Sequence, residues 1–158
     1  MKRMKILLPL IVMSLIACHK DPVSNPAWQF TASIDGKSWT ATQQIFSNII
    51  GDYIMISGLD SNGRSISLVL KGSVAGGYTM GKNSASSASY SDSLSGKPLF
   101  ITDQSTDAAL AGGTVVITSI NSFTKTITGT FSFNAYNDSL GYKKTVTKGV
   151  ISNLPFQY

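Results

Sequence analysis

Phe30-Thr31-Ala32-Ser33-Ile34-Asp35-Gly36-Lys37-Ser38-Trp39-Thr40-Ala41 is the stretch whose reading decides the fold. Phe30, Ala32 and Ile34 alternate with Thr31 and Ser33, the period-2 pattern of a half-buried strand. Asp35-Gly36 supplies a dipeptide that tolerates the positive φ angles of a tight hairpin. Trp39 and Ala41 then resume the alternation on a return strand. Two strands and a turn within twelve residues set the scale for the rest of the chain.

The same grammar continues. Tyr53 to Gly58 reads as a strand, Asp60-Ser61-Asn62-Gly63 as a turn, and Ser65 to Leu70 as the partner strand, with Ile66, Leu68 and Leu70 on one face. Val115–Ile120 and Thr126–Ala135 predict a hairpin over Asn121–Lys125, with Ile127, Gly129, Phe131 and Phe133 sharing a face. Val146 to Ile151 is a last long strand. No segment sustains a 3.6-residue apolar period; Thr106–Leu110 offers a single turn at most. The expected fold is all-β and single-domain, either an antiparallel β-sandwich or a partly closed β-barrel. Asn83 to Gly96, Ser-rich with Tyr90 and Leu94 as its only large apolar residues, reads as a mobile loop that buries too little to offset its ordering entropy.

Before this β region lies a different kind of sequence. Lys2, Arg3 and Lys5 precede an apolar run from Ile6 to Ile16, and Ala17 is a small residue suited to cleavage, the layout of a secretory signal. The run is roughly half the ~20 apolar residues that a spanning helix needs. Leu15-Ile16-Ala17-Cys18 resembles the bacterial lipobox. That resemblance implies lipid on Cys18 and cleavage before it. The expected organisation is a signal peptide over 1–17, a lipidated tether over 18–27 and the β domain over 28–158. Pro22 and Pro26 keep the tether extended, and the nine residues from Cys18 to Pro26 reach at most ~30 Å. The expected location is the outer membrane. Lys20-Asp21 partly resembles a surface-export signal and leaves both the periplasmic face and the cell surface open.

Composition limits function more than any motif. The formal charge of +5 misleads, because three of the 13 basic residues lie in the signal, leaving 10 against 8 acidic residues. Such a balance gives no basic patch for nucleic acid. Glu is absent, Cys18 is the only cysteine, and the only histidine is His19 beside it. The domain therefore has no disulfide, no Ser-His-Asp triad, no thiol nucleophile and no soft-ligand zinc site. An Asp pair or a Ser-Lys dyad is the remaining catalytic option. The expected reading is a non-enzyme with no catalytic residues, no metal site and no cofactor beyond the lipid on Cys18. Asp60-x-Asn62-Gly63 has the first spacing of a calcium loop, but without a distal Glu it reads as a hairpin turn. Asp103 and Asp107 read as solvated. Lys143-Lys144 reads as an exposed loop or strand end.

Four segments carry a family resemblance: the opening dodecapeptide, then Gly63-Arg-Ser-Ile-Ser-Leu-Val-Leu70, then Thr126-Ile-Thr-Gly-Thr-Phe-Ser-Phe-Asn-Ala135, then Thr147-Lys-Gly-Val-Ile-Ser-Asn153. Together they resemble DUF6252, a family of uncharacterised Bacteroidota lipoproteins. The resemblance implies a Bacteroidota source, a lipid anchor and an all-β domain. No reaction is assigned to that family, so no catalytic residues transfer. A protein or glycan partner is the expected ligand class. The aromatics Trp28, Trp39, Tyr53, Tyr78, Tyr90, Tyr136 and Tyr142 are candidate sugar-stacking faces, and core packing is their alternative role. Asp92-Ser93-Leu94 and Asp138-Ser139-Leu140 resemble the Bacteroidota O-glycosylation motif, making Ser93 and Ser139 candidate acceptors, with Ser93 the more accessible by sequence.

Overall fold

The computed structural model describes residues 27–158 apart from Leu94 and Gly96; the signal, Cys18 and the tether to Pro26 lie outside the described residues. Eleven strands form one antiparallel sheet, and no helix occurs among the described residues. They are β1 (Gln29–Ile34), β2 (Lys37–Thr40), β3 (Gln43–Ile50), β4 (Tyr53–Leu59), β5 (Ser65–Lys71), β6 (Gly76–Met80), β7 (Ser87–Ser91), β8 (Leu99–Ile101), β9 (Gly112–Asn121), β10 (Thr126–Asn137) and β11 (Tyr142–Pro155). The order is β2-β1-β11-β10-β8-β7-β5-β4-β3, and a branch runs from β10 through β9 to β6. The sheet curls into a half-barrel, so the barrel alternative describes the molecule and no second stacked sheet is needed.

Curling follows from the alternation. The inward row includes Phe30, Trp39, Ile54, Ile56, Ile66, Leu68, Leu70, Phe100, Val115, Ile127 and Ile151, all essentially excluded from solvent. Phe30 lies edge-on to Trp39 with ring centroids 5.1 Å apart and meets Phe131 at 5.6 Å. A sheet with one apolar face buries it by folding onto itself. Bulges supply the bend: Thr147-Lys148 of β11 stand opposite the single Ser132 of β10, with Lys148 in the left-handed region at φ 52°.

The structure corrects the reading of Asn83–Gly96 as a mobile loop. Ser87–Ser91 is β7, paired with β5 on one side and β8 on the other. Ala88 and Tyr90 point into the core, and buried Thr102 Oγ1 accepts the Ala88 amide at 2.9 Å. Two inward side chains suffice, because the neighbouring strands supply the backbone partners that the segment lacks alone. The predicted hairpins match the observed ones, with strands longer by up to several residues. Thr106–Leu110 forms a turn closed by the Ala111 amide on the Asp107 carbonyl at 3.0 Å.

At Gly149, glycine opens room in the core for an aromatic ring. A Cβ on Gly149 would sit 2.4–2.5 Å from the Phe131 ring across the β10–β11 pair. Gly149→Ala should cost about 1–3 kcal/mol by overpacking. Gly76→Ala, where a Cβ meets open space, should fall within about 0.5 kcal/mol of the parent. Urea denaturation with an unchanged m-value checks both; equal midpoints for the two variants would contradict the packing account.

Candidate functional site

Charged groups come first, because catalysis would need some of them free. Asp60 is buried at the β4–β5 turn. Its carboxylate accepts the Asn62 and Arg64 amides at 2.9 Å each and Arg64 Nε at 2.7 Å, with Arg64 Nη2 at 2.6 Å. Burial pushes the Asp60 carboxyl up, but these hydrogen bonds and the Arg64 charge outweigh it and hold it below the ordinary range. The Arg64 carbonyl accepts Trp39 Nε1 at 3.0 Å, and Arg64 Nη2 reaches the Ser38 carbonyl at 3.2 Å. The calcium-like spacing thus encodes a turn that staples β5 to β2.

A second cluster gathers at the β1–β2 turn. Lys144 Nζ lies 3.3 Å from Asp35 and 3.5 Å from Asp92, and 5.7–5.9 Å from the rings of Tyr90, Phe100 and Tyr142. Tyr90 donates its hydroxyl to Asp92. Burial lowers the Lys144 ammonium, but Asp92 and then Asp35 reverse this and raise it. Burial first, then Asp92, raises the Tyr90 phenol. Half-buried Lys144 thus departs from the expected exposed pair, while Lys143 does stand exposed, with Nζ on the Ala109 carbonyl at 2.6 Å. Asp35 also accepts the Thr145 amide at 2.9 Å, Asp52 pairs with Lys71 at 3.3 Å, and Asp107 accepts the Ala109 amide at 2.8 Å. Five of the seven aspartates after the tether therefore hold structure.

A broad cleft lies elsewhere. It encloses about 700 Å³ beside β6, β9, β10 and β11, and no carboxylate lines it. Gly81, Gly112 and Gly113 form part of its wall, with Lys82 as its charged residue. Across its strands runs a row of outward hydroxyls. Thr79 pairs with Thr114 and Thr114 with Ser132; Ser132 faces the Thr147-Lys148 bulge; Thr147 pairs with Ser33, and Ser33 with Ser38. Two smaller grooves, sharing Lys148, extend the cleft over Ser33 and Ser38. Sequence reasoning missed this row. Its members were visible as the polar halves of alternating strands, but the pairings β1–β11 and β6–β9 that align them carry no local signal.

The other sequence candidates are dispersed. Trp39 and Tyr90 are core residues, whereas Trp28, Tyr53 and Tyr142 are exposed. Ser93 Oγ donates to the Lys97 carbonyl at 2.6 Å and contacts Ser95 Oγ at 2.8 Å, while Ser139 stands exposed in the β10–β11 turn. That geometry favours Ser139 over Ser93 as the accessible hydroxyl. Leu94 of the first motif, and Cys18, fall outside the described residues.

Asp60→Asn should destabilise the protein by about 2–3 kcal/mol at pH 7, because the Arg64 charge loses its partner. The folded carboxyl titrates below its ordinary 3.8, so its contribution is complete above that value and is lost as pH falls through the folded value. The gap between parent and variant in urea should therefore shrink below pH 3.8. A gap that stays constant down to about pH 2 would assign the loss to shape rather than charge.

No curated protein and no solved structure matches this chain. Residues 25–155 match the family model of the domain of unknown function DUF6252, and the chain belongs to that family.

Proposed function

We propose that this protein is a lipid-anchored, non-catalytic binding domain of the outer membrane, and that the hydroxyl row is its recognition surface for a neutral, hydroxyl-rich chain such as a glycan. The row carries the reading. Each Ser or Thr hydroxyl both donates and accepts, which matches the hydroxyls of a sugar, and neighbouring strands repeat it every ~4.8 Å. The absence of any carboxylate from the cleft lining disfavours a cationic ligand and supplies no acid–base pair. Lys82 and Lys148 border the surface, too few to attract a polyanion such as nucleic acid. The structural use of most aspartates supports the non-enzymatic reading, and no cofactor is invoked beyond the lipid on Cys18.

The anchor is tested by Cys18→Ser, which should leave the protein unprocessed or soluble in its host. Normal cleavage and retention on outer membranes would exclude lipidation, since two or three acyl chains at ~0.8 kcal/mol per methylene are what hold it there.

The surface is tested by titrating neutral oligosaccharides into the isotopically labelled mature chain. Amide shifts should cluster at Thr114, Ser132 and Thr147. Ser132→Arg, at an exposed position, should weaken binding by at least about tenfold, roughly 1.4 kcal/mol, without changing the melt. Shifts clustering away from this face, or an unaltered affinity in the variant, would exclude it.

A further inference from the structure

Exposed rings gather at one end of the half-barrel, away from the hydroxyl row. Gln29 pairs with Ser152, and Thr126 pairs with both Pro155 and Asn121. These registers bring the start of β1, the β9–β10 turn and the end of β11 together. Phe123 stands at the tip of that turn and is 95% exposed. The Phe156 amide bonds to the Lys125 carbonyl at 2.9 Å, and Lys125 Nζ lies 3.9 Å over the ring of exposed Tyr158. Trp28 and Phe46, both exposed, line a groove of about 410 Å³ with Phe156. On the other side of Trp28 a groove of about 480 Å³ runs past Asn121, Thr124 and Pro155. Trp28 thus joins the two grooves into one aromatic end.

What covers this end follows from the chain itself. Trp28 directly follows the segment that begins at Cys18, ten residues away and at most ~36 Å in contour length. A lipid at Cys18 keeps the end that carries Trp28 within that distance of a bilayer. Trp and Tyr favour the headgroup region, where their rings are dehydrated while their polar atoms stay wet. Lys125 suits anionic headgroups. The Asp35–Lys144–Asp92 cluster sits at the opposite end of β1 and β11. At the near end Asp52, in the β3–β4 turn, is tied to Lys71. We infer that this aromatic end is a membrane-contact face, with Phe123 and Trp28 entering the headgroup region and the strands rising from the bilayer. The inference rests on the reading of Cys18 as the anchor.

The test supplies that anchor chemically. The mature chain is coupled through Cys18, its only cysteine, to maleimide lipid in phosphatidylethanolamine–phosphatidylglycerol vesicles with brominated acyl chains. Trp28 emission, isolated by subtracting a Trp28→Phe variant in which buried Trp39 remains, should be quenched at least about twofold relative to unbrominated vesicles. Phe123→Asp, at a fully exposed turn, should abolish most of that quenching while leaving the melt unchanged. Equal emission on both vesicle types, or undiminished quenching in Phe123→Asp, would overturn the contact face. So would self-association of the mature chain that Phe123→Asp removes without any change in quenching, because the occupant would then be a second copy. Failure of the anchor reading is seen separately, as host-purified protein whose mass lacks acyl chains.

Discussion

The fold depends on one constraint: among the described residues a single sheet has one apolar face and no helix or second sheet to cover it. Curling is the remaining way to bury that face. The strands at the two ends of the main path, β2 and β3, are consecutive in sequence, and a few bonds tie them and their link to β4 and the β4–β5 turn. The Thr42 amide donates to the Leu59 carbonyl at 2.8 Å, and Trp39 Nε1 reaches the Arg64 carbonyl. Farther along β3, the Ile49 amide donates to the Gln157 carbonyl at 2.8 Å, and the Gln157 amide returns to Ser47 at 3.0 Å. The C-terminal residues thereby cover part of an edge that would otherwise present unpaired amides and carbonyls.

Most of the local structure was legible because most inward rows alternate cleanly. β1, β2, β4, β5, β9, β10 and β11 all announce themselves by period-2 patterning and turn residues. β3 does not. Ser47 and Ile49 point inward while Phe46 and Ile50 stand exposed, so apolar residues occupy both faces and the period is lost. Gln44, at φ 47°, adds an irregularity before Phe46 pairs with Ser57. β7 was hidden by composition instead. Ser87, Ser89 and Ser91 dilute Ala88 and Tyr90, and serine-rich sequence reads as loop until flanking strands are known. Register between distant strands was not legible at all, and with it went the site, which exists only as an alignment of residues from β6, β9, β10, β11, β1 and β2.

Scarcity of charge shapes what the molecule can do. With no disulfide in the domain, the carboxylates take over stapling: Asp60 fixes a turn to β2, and Asp35 and Asp92 hold Lys144 among rings. Such groups are poor candidates for chemistry, because each is already neutralised and hydrogen-bonded in the resting fold. Hydroxyls are what the outer surface has in excess. A β-strand must present something polar on its solvent side, and here that requirement is met by Ser and Thr rather than by Lys and Glu. The same choice that makes the surface nearly neutral makes it a dense array of donors and acceptors.

The two proposed surfaces, hydroxyl row and membrane-contact face, are compatible only if a bilayer would leave the row uncovered, and the register of β1 decides this. Trp28 marks the tether end, and Ser33 in the row lies five residues farther along the same chain. At ~3.3 Å per residue that is roughly 16 Å of rise. Side chains entering the headgroup region are buried by ~5–10 Å at an interface of this kind. An end-on domain would therefore hold the row above the zone that Phe123 and Trp28 enter. A domain lying flat would instead press Thr114 and Ser132 into the headgroups, trading hydrogen bonds to water for no apolar burial. On the proposed readings the sheet would divide its outer surface by height: rings toward lipid, hydroxyls toward solvent and whatever that solvent carries.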